Sequence, residues 1–415
     1  MTEDGKTSGT LNDRAWPLYG AAFSTALSLS ICWTAMPFVL SGMGGSEAHV
    51  GYALAANSLA YMAALFLTGS LLGHLDVKRA TRVAIGVALF GVVMMLLAVW
   101  EGRRSEGGAS LVWIWAIIAA GGVGGAAMAL YWPFLMSWVS ARYEGVELNR
   151  RFGRYNGSWS GGGVIGPLIG AWLVGIDPLW PVIAAAGAFV VTLVMLCLAR
   201  NGAGHGGAAP SEAAPDAPCD ARMLADYRWM SRVAMFCAWA TFSIIRSQFA
   251  LRFVDIGYSE PQFGVYLTTF ALCNFLALVA AGRWAFWHFK AVYLFWAQLM
   301  YLAVALMVLW GRTLGVFYCS SAILGLAFGF AYSSHLYYGA STSRKRSVRM
   351  TIHELVISVG IAVGAGTGGY LAKHVGWAAP YWFAIGLIAL GGLVQTVIHV
   401  ASRSLAGRRS GSASR

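Results

Sequence analysis

Charged residues are scarce in this sequence. Lys, Arg, Asp and Glu together make up 11% of its 415 residues, whereas hydrophobic residues make up 58%. A soluble domain carries roughly 25% charged residues, so this chain has too little polar surface for a water-soluble fold. The scarcity of charge therefore predicts a membrane protein.

Motifs of soluble chemistry are also missing. The six cysteines include no CxxC pair, so the sequence predicts neither a metal site nor a disulfide framework. It contains no Walker loop and no HExxH motif, which argues against an ATP-driven pump and a zinc enzyme. We predict no enzymatic activity and no cofactor. The net charge of +12 does not predict nucleic-acid binding, because Lys and Arg fall in short clusters between apolar runs.

Twelve apolar runs are each about the 20 residues that cross a bilayer core. They predict an all-α membrane protein with twelve transmembrane helices. Residues 1–15 have no signal-peptide pattern, so we expect the first run to be a retained helix. The predicted helices are 16–40, 50–73, 83–100, 110–140, 156–175, 180–199, 229–250, 262–281, 291–310, 314–340, 351–372 and 380–402.

One long loop divides these helices into six and six. Residues 200–228 are rich in Gly, Ala and Pro and predict a flexible linker. The predicted domains are an N-terminal bundle at 1–199, a C-terminal bundle at 229–402 and a basic tail at 403–415. Lys and Arg cluster in the loops on the side of both termini. This asymmetry predicts a multi-pass protein of the bacterial inner membrane with both termini in the cytoplasm.

The fifth helix of each half carries the same glycine pattern at one constant offset, which also pairs Asn156 with Glu354. Chance similarity between Gly-rich membrane helices is the alternative explanation. The matching position in both halves favours an internal repeat, with two pseudo-symmetric six-helix bundles. We expect these glycines to lie where helices pack closely. They are Gly162, Gly166 and Gly170 in the N-terminal half, and Gly360, Gly364 and Gly368 in the C-terminal half.

In topology the whole chain resembles the major facilitator superfamily. After helix 2 that family usually has Gly-x-x-x-Asp-Arg-x-Gly-Arg-Arg. Here the first Gly is kept as Gly69 and the basic end as Lys78-Arg79, but Gly73 stands at the family's Asp position and the acid is displaced to Asp76. Pro167 follows Gly166 in a segment that resembles the helix 5 motif of the family's exporters, and Pro167 is a candidate hinge. The resemblance implies alternating access, with export as the direction.

Ionisable residues inside membrane helices are costly and usually face a cavity or a partner. Arg246 lies deep in the predicted helix 7, where it could bind an anionic substrate, gate the path or form a structural ion pair. His353 and Glu354 open the predicted helix 11. Glu354 could carry a coupled proton, or it could only compensate the helix dipole. The same two interpretations apply to its neighbour His353.

Polar and aromatic residues at membrane depth complete the candidate set for a substrate cavity. Each polar residue could alternatively form an interhelical hydrogen bond, and each aromatic residue could belong to an interfacial belt. The polar candidates are Asn57, Asn274, Gln298 and His335, and the aromatic candidates are Trp33, Tyr131 and Trp132.

Two functions fit this sequence. The first is a proton-coupled secondary transporter for a small organic solute, with export favoured by the helix 5 resemblance. The second is a transporter-like scaffold or assembly factor without transport, which the altered motif after helix 2 keeps open. The expected partners are a small-molecule substrate, membrane lipids and protons, and we expect a monomer that binds no nucleic acid.

Overall fold

The part of the chain that the structure describes folds into twelve long helices. The structure is a computed structural model that describes residues 15–71, 75–105, 110–140, 145–199, 221–340 and 346–413. Each helix contains a stretch long and apolar enough to cross a membrane, and the described residues contain no strand. The helices are α1 (Trp16–Gly42), α2 (Glu47–Leu71), α3 (Val77–Arg104), α4 (Ser110–Ser140), α5 (Gly145–Ile176), α6 (Leu179–Leu198), α7 (Ala221–Ile244, Ile245–Phe249 and Ala250–Asp255), α8 (Glu260–Arg283), α9 (Ala291–Trp310), α10 (Leu314–Ala340), α11 (Arg346–His374) and α12 (Ala379–Ala413).

The prediction of twelve helices is confirmed, but several helix ends were wrong. The predicted linker at 200–228 was too long, because α7 already begins at Ala221. The segment from Ala221 to Arg228 contains no Gly or Pro, and it buries Leu224 and Tyr227 against the C-terminal half. The predicted tail at 403–415 is helical as far as Ala413, because no proline interrupts α12 after its first turn. Residues 200–220 lie outside the described part of the chain.

Two hydrophobic cores divide the helices into halves. The first core is built from residues of α1 to α6, and the second from residues of α7 to α12. Within the N-terminal half, α5 packs on α1, and within the C-terminal half, α11 packs on α7. Equivalent helices therefore pair in the two halves, as the internal repeat predicts.

The glycine contacts align α1 with α7 residue by residue. A Cβ atom on Gly166 would collide with Ser30 and the carbonyl of Leu27 in α1. A Cβ atom on Gly364 would collide with Ser243 and the carbonyl of Ala240 in α7. Gly166 and Gly364 therefore lie in matching tight contacts in the two halves. This match makes Ser30 equivalent to Ser243 and, one turn further on, Trp33 equivalent to Arg246.

The two halves meet chiefly along α2 with α11 and along α5 with α8. The contacts are closest at the start of α2 and the end of α11, where a Cβ atom on Gly369 would lie 2.7 Å from the carbonyl oxygen of Glu47. At the start of α8, a Cβ atom on Gly264 would lie 2.7 Å from the Cβ of Ala171 in α5. Both places lie on the membrane side opposite the chain termini, which we call the distal side. The halves are therefore sealed together on the distal side.

Candidate functional site

Arg246 lies in a π turn of α7. This turn, Ile245–Phe249, interrupts the α-helical geometry, and such single turns are frequent at functional sites. The guanidinium carbon of Arg246 lies 5.9 Å from the centroid of the Phe242 ring, and its Nε atom is buried without a hydrogen-bond partner. Among the described residues, no carboxylate lies within ion-pair distance of Arg246. Its positive charge inside the membrane span is therefore not compensated by an acid.

The guanidinium of Arg246 borders a small cavity between the two halves. The cavity is about 10 Å³, room for about one water molecule. The N-terminal half supplies most of its lining and the C-terminal half supplies Arg246 and Ser247. The residues from the N-terminal half are Trp33, Met36, Pro37, Val50 and Leu54. Trp33 and Arg246, which occupy equivalent positions in the repeat, thus border the same space, and the Arg246 side chain is half-buried.

Aromatic rings continue from Arg246 into the C-terminal half. The ring of Phe242 stacks on Phe270 with the centroids 4.3 Å apart, and Phe328 contacts both rings edge-on. Trp239 packs on Phe328 at 4.8 Å, and its indole Nε1 atom is buried without a hydrogen-bond partner. We call Trp239, Phe242, Phe270 and Phe328 the aromatic wall. It provides apolar ring faces next to a guanidinium and an unpaired indole N–H.

Glu354 forms a hydrogen bond across the interface between the halves. Its carboxylate accepts a hydrogen bond of 3.0 Å from the hydroxyl of Tyr61 in α2. Tyr155 of α5 and Tyr332 of α10 lie close enough to interact with it electrostatically. Among the described residues, Glu354 has no cationic partner within ion-pair distance. The carboxylate therefore lies in a tyrosine-lined site to which both halves contribute.

The two candidate histidines are in direct contact. His335 of α10 and His353 of α11 are buried, their rings stack, and their Nδ1 atoms are 2.5 Å apart. One Nδ1 must donate and the other accept, so the contact favours at most one proton between these two atoms. The Nε2 atom of His353 is buried, with no hydrogen-bond partner among the described residues. Because His353 precedes Glu354, the histidine pair lies beside the tyrosine-lined carboxylate.

Helix packing makes Asn57 and Asn274 equivalent residues of the two halves. The carbonyl of Asn57 contacts Gly125 of α4, and the carbonyl of Asn274 contacts Gly329 of α10. The side chain of Asn57 donates a 2.8 Å hydrogen bond to the carbonyl of Gly121, whereas the Oδ1 atom of Asn274 is buried and unpaired. Asn57 lines a second cavity, of about 20 Å³, within the N-terminal half beside Trp33.

Three other cavity candidates are placed away from Arg246. Tyr131 is completely buried in the N-terminal half, where its hydroxyl accepts a hydrogen bond from Thr25 and donates one to the carbonyl of Ala21. Trp132 is half-buried and packs edge-on against Tyr131. Gln298 is buried within the C-terminal half, near Gly391 of α12. None of these three side chains lines the cavity at Arg246.

The conformational candidates lie in three places. The three glycines of α5 face α1, and the three glycines of α11 face α7; they are Gly162, Gly166 and Gly170, and Gly360, Gly364 and Gly368. The carbonyl of Pro167 lies against Gly264 of α8, where the halves meet on the distal side. Asp76 caps the start of α3 by accepting a hydrogen bond from the Lys78 amide, while Arg79 is exposed. Gly69 lies in the last part of α2, and Gly73 lies outside the described residues.

Comparison with known proteins decides the family. A model of the Major Facilitator Superfamily matches residues 18–343 and, in a second match, residues 232–413. The chain belongs to the major facilitator superfamily. Among curated proteins, none matches this sequence significantly.

Solved structures of this superfamily share the fold over almost the whole chain. A nucleoside transporter, NupG, has a TM-score of 0.71 at 10% identity, covering 93% of this chain and 99% of that chain. A POT family transporter in complex with a thioalcohol-conjugated peptide has a TM-score of 0.71 at 13% identity, covering 94% and 96%. A bacterial homolog of the human lysosomal transporter Spinster, inward-facing and unoccupied, has a TM-score of 0.65 at 15% identity, covering 95% and 98%. At these identities the likeness concerns the fold alone.

Sequence reasoning missed several residues of this superfamily member's site. Tyr61, which bonds to Glu354, carries no sequence signal, because nothing in a single chain reveals which tyrosine faces α11. One part of the aromatic wall could have been predicted from the sequence, since residues three or four positions apart share one helix face. Such spacing places Trp239, Phe242 and Arg246 on the same face of α7. Phe270 and Phe328 join that face only through tertiary packing.

Proposed function

We propose that this protein is a secondary active transporter that moves a small organic solute by alternating access and couples this movement to protons. Membership of the major facilitator superfamily supports secondary transport in general. The observation that carries the coupling is the hydrogen bond between Tyr61 and Glu354, because it joins the two halves through an ionisable group. Export as the direction, a bacterial inner membrane and cytoplasmic termini are proposed on the helix 5 resemblance and the distribution of Lys and Arg.

Glu354 is the proposed proton carrier. An ionised carboxylate accepts a strong charge-assisted hydrogen bond from Tyr61, whereas a protonated carboxyl is a weaker acceptor for the same hydroxyl. Protonation would therefore weaken one link between α2 and α11, and separation of the halves would favour protonation. Such reciprocal linkage is what couples proton binding to a change of conformation.

Position also supports separate roles for Glu354 and Arg246. Gly364 packs against Ser243, so it lies close to the level of Arg246. The ten positions between Glu354 and Gly364 span about 15 Å along α11. Glu354 is thus displaced toward the termini, and a solute at Arg246 and a proton at Glu354 would not compete for the same atoms.

The test is solute-driven proton movement in proteoliposomes. Purified protein is reconstituted with an internal pH-sensitive dye, and a panel of small organic acids, nucleosides, sugars and amines is applied as a gradient. We expect at least one solute to drive proton flux in the parent protein. Glu354→Gln should abolish the proton flux, since a carboxamide cannot exchange a proton.

Tyr61→Phe and Asp226→Asn provide the comparison. Tyr61→Phe keeps the carboxylate but removes its hydrogen bond, so we expect proton flux with an altered pH profile. Asp226 accepts a hydrogen bond from Ser402 away from the interface, so Asp226→Asn should leave flux unchanged. Solute flux that is equally proton-linked in Glu354→Gln would reject Glu354 as the carrier, and absence of flux for every solute would favour the scaffold function.

A further inference from the structure

We infer that the Arg246 site binds an organic monoanion with an aromatic ring, the anionic group on Arg246 and the ring along the aromatic wall. This inference rests on the proposed transport function and names its substrate class. It follows from the combination of one uncompensated cation, adjacent ring faces and unpaired polar atoms within a single region of the C-terminal half.

The charge at the site favours an anion. A guanidinium inside a membrane span is costly unless a counter-charge or water solvates it. Arg246 has no acidic partner among the described residues, and its neighbouring cavity has room for about one water molecule. A carboxylate or similar oxyanion would supply the missing charge and accept parallel N–H bonds from the planar guanidinium. A single guanidinium balances one negative charge, which favours a monoanion over a dianion.

The neighbouring side chains require an aromatic group. Planar ligands gain from offset or edge-on contacts with rings whose centroids are 4.5–7 Å away. The ring centroids of Phe242, Phe270 and Phe328 lie 4.3–5.6 Å from one another, and Phe242 directly adjoins Arg246. A sugar or short aliphatic acid would gain fewer contacts with these rings than a planar ring would. Two of the predicted aromatic candidates, Tyr131 and Trp132, are instead packed away from Arg246, in the N-terminal half.

Two unpaired buried polar atoms give the site a further recognition element. The Nε1 atom of Trp239 is a donor and the Oδ1 atom of Asn274 is an acceptor, and neither has a partner among the described residues. Asn274 lies one turn after Phe270 on α8, and Trp239 contacts Phe328. Buried polar groups are nearly always hydrogen-bonded in folded proteins. A ring substituent or ring nitrogen on the solute would satisfy these atoms, so hydroxylated or heteroaromatic acids should bind better than benzoate.

The test is a binding measurement on the detergent-purified protein without any gradient. Calorimetric titration is performed with benzoate, 4-hydroxybenzoate, phenylacetate and indole-3-acetate. Each acid is compared with its neutral amide, and propionate serves as the non-aromatic acid. We expect at least one aromatic acid to bind about tenfold or more tightly than its amide, because a charged hydrogen bond contributes about 1.5–3 kcal/mol. Propionate should bind more weakly than any aromatic acid that binds.

Three variants identify the atoms involved. Arg246→Gln should lower the affinity for the acid to that for the amide, and Arg246→Lys should retain part of the difference. Phe242→Leu should weaken the binding of aromatic acids without changing the preference for the acid over its amide. Arg252→Gln is the matched control, since Arg252 lies on the same helix but stacks on Trp377 outside the site, and it should leave binding unchanged.

The outcomes separate this inference from the proposed function. Binding of no aromatic acid, equal binding of acid and amide, or unchanged acid binding by Arg246→Gln would each overturn it. Proton-coupled flux of a neutral or cationic solute that depends on Glu354 would also overturn it while leaving the proposed function intact. Specific binding of an aromatic acid without any flux would support this site and reject transport.

Discussion

At the scale of single residues, the two halves carry different chemistry at equivalent positions. Trp33 in the N-terminal half is matched by Arg246, and Asn156 is matched by Glu354. The matching glycine contacts of α4 and α10 make Tyr131 equivalent to His335, and those of α5 and α11 make Tyr155 equivalent to His353. Each N-terminal member of these four pairs is neutral, whereas each C-terminal member can carry charge. The ionisable groups of the site therefore belong to the C-terminal half, while the N-terminal half supplies a neutral surface and the Tyr61 hydroxyl.

The sequence alone makes Arg246 and Glu354 candidates because burying charge in a membrane is costly. It could not identify their surroundings. Tyr61 is one of 17 tyrosines in the chain, and its role depends on how α2 lies against α11. The contact between His335 and His353 likewise depends on the packing of α10 against α11. Residue types that are rare inside membranes can be predicted as functional, whereas common residue types acquire a role only from tertiary contacts.

Tyr131→Phe should lower stability and leave solute flux per folded molecule unchanged. The substitution removes a hydroxyl that bonds both Thr25 and the Ala21 carbonyl within the N-terminal core. One such bond contributes about 1 kcal/mol, and we expect the Tm in detergent to fall by about 2 °C. Tyr52→Phe is the control, because the Tyr52 hydroxyl has no hydrogen bond among the described residues while its ring stacks on Trp115. An unchanged Tm with reduced flux would assign Tyr131 to the solute path.

At the scale of helices, the apolar runs predicted that twelve helices exist and in which order they follow, but they did not predict every helix end. The predicted bounds of the fourth, ninth and tenth helices agree with α4, α9 and α10, where polar residues border the apolar run directly. The helices α5, α7 and α12 extend beyond the apolar runs into polar sequence. Hydrophobicity reports which residues lie in the membrane, whereas the ends of a helix depend on propensity and on the absence of proline.

Gly166→Leu and Gly364→Leu should disturb the two halves in the same way. Each glycine lets α5 or α11 touch the backbone of its partner helix, α1 or α7, and an added side chain forces the helices apart at a cost of about 1–3 kcal/mol. We expect lower yield of monodisperse protein and a lower Tm for both variants, measured by size-exclusion chromatography and thermal unfolding. Gly163→Leu is the control, because a Cβ atom there meets nothing within 4 Å. Parental yield and Tm for both glycine variants would contradict the matched register.

At the scale of the whole molecule, the two halves are held together on the distal side. The distal side is closed by backbone contact, with Gly51 of α2 against Ala365 and Gly369 of α11, and Gly264 of α8 against α5. Hydrogen bonds from Ser58 to the Ser358 carbonyl and from Thr268 to the Val164 carbonyl, both 2.9 Å, lie along the same two seams. These contacts are close packing and neutral hydrogen bonds, and the hydrogen bond from Tyr61 to Glu354 lies one turn nearer the termini on the α2–α11 seam.

Gly264→Leu should open the distal side without unfolding either half. A Cβ atom at this position would lie 2.7 Å from the Ala171 Cβ and 2.9 Å from the Pro167 carbonyl oxygen, so a leucine cannot fit while α5 and α8 remain in contact. Because Gly264 packs between the halves, the strain is relieved by their separation. Spin labels on Ile176 and Val375, exposed residues at the distal ends of α5 and α11, should report a longer interhalf distance in a variant without native cysteines. Gly282→Leu, on the same helix with nothing within 4 Å of its Cβ, should keep the parental distance. If Gly264→Leu keeps the parental distance and full solute flux, α5 and α8 do not form the distal seal. If only Gly264→Leu loses monodisperse protein, this contact is essential for folding.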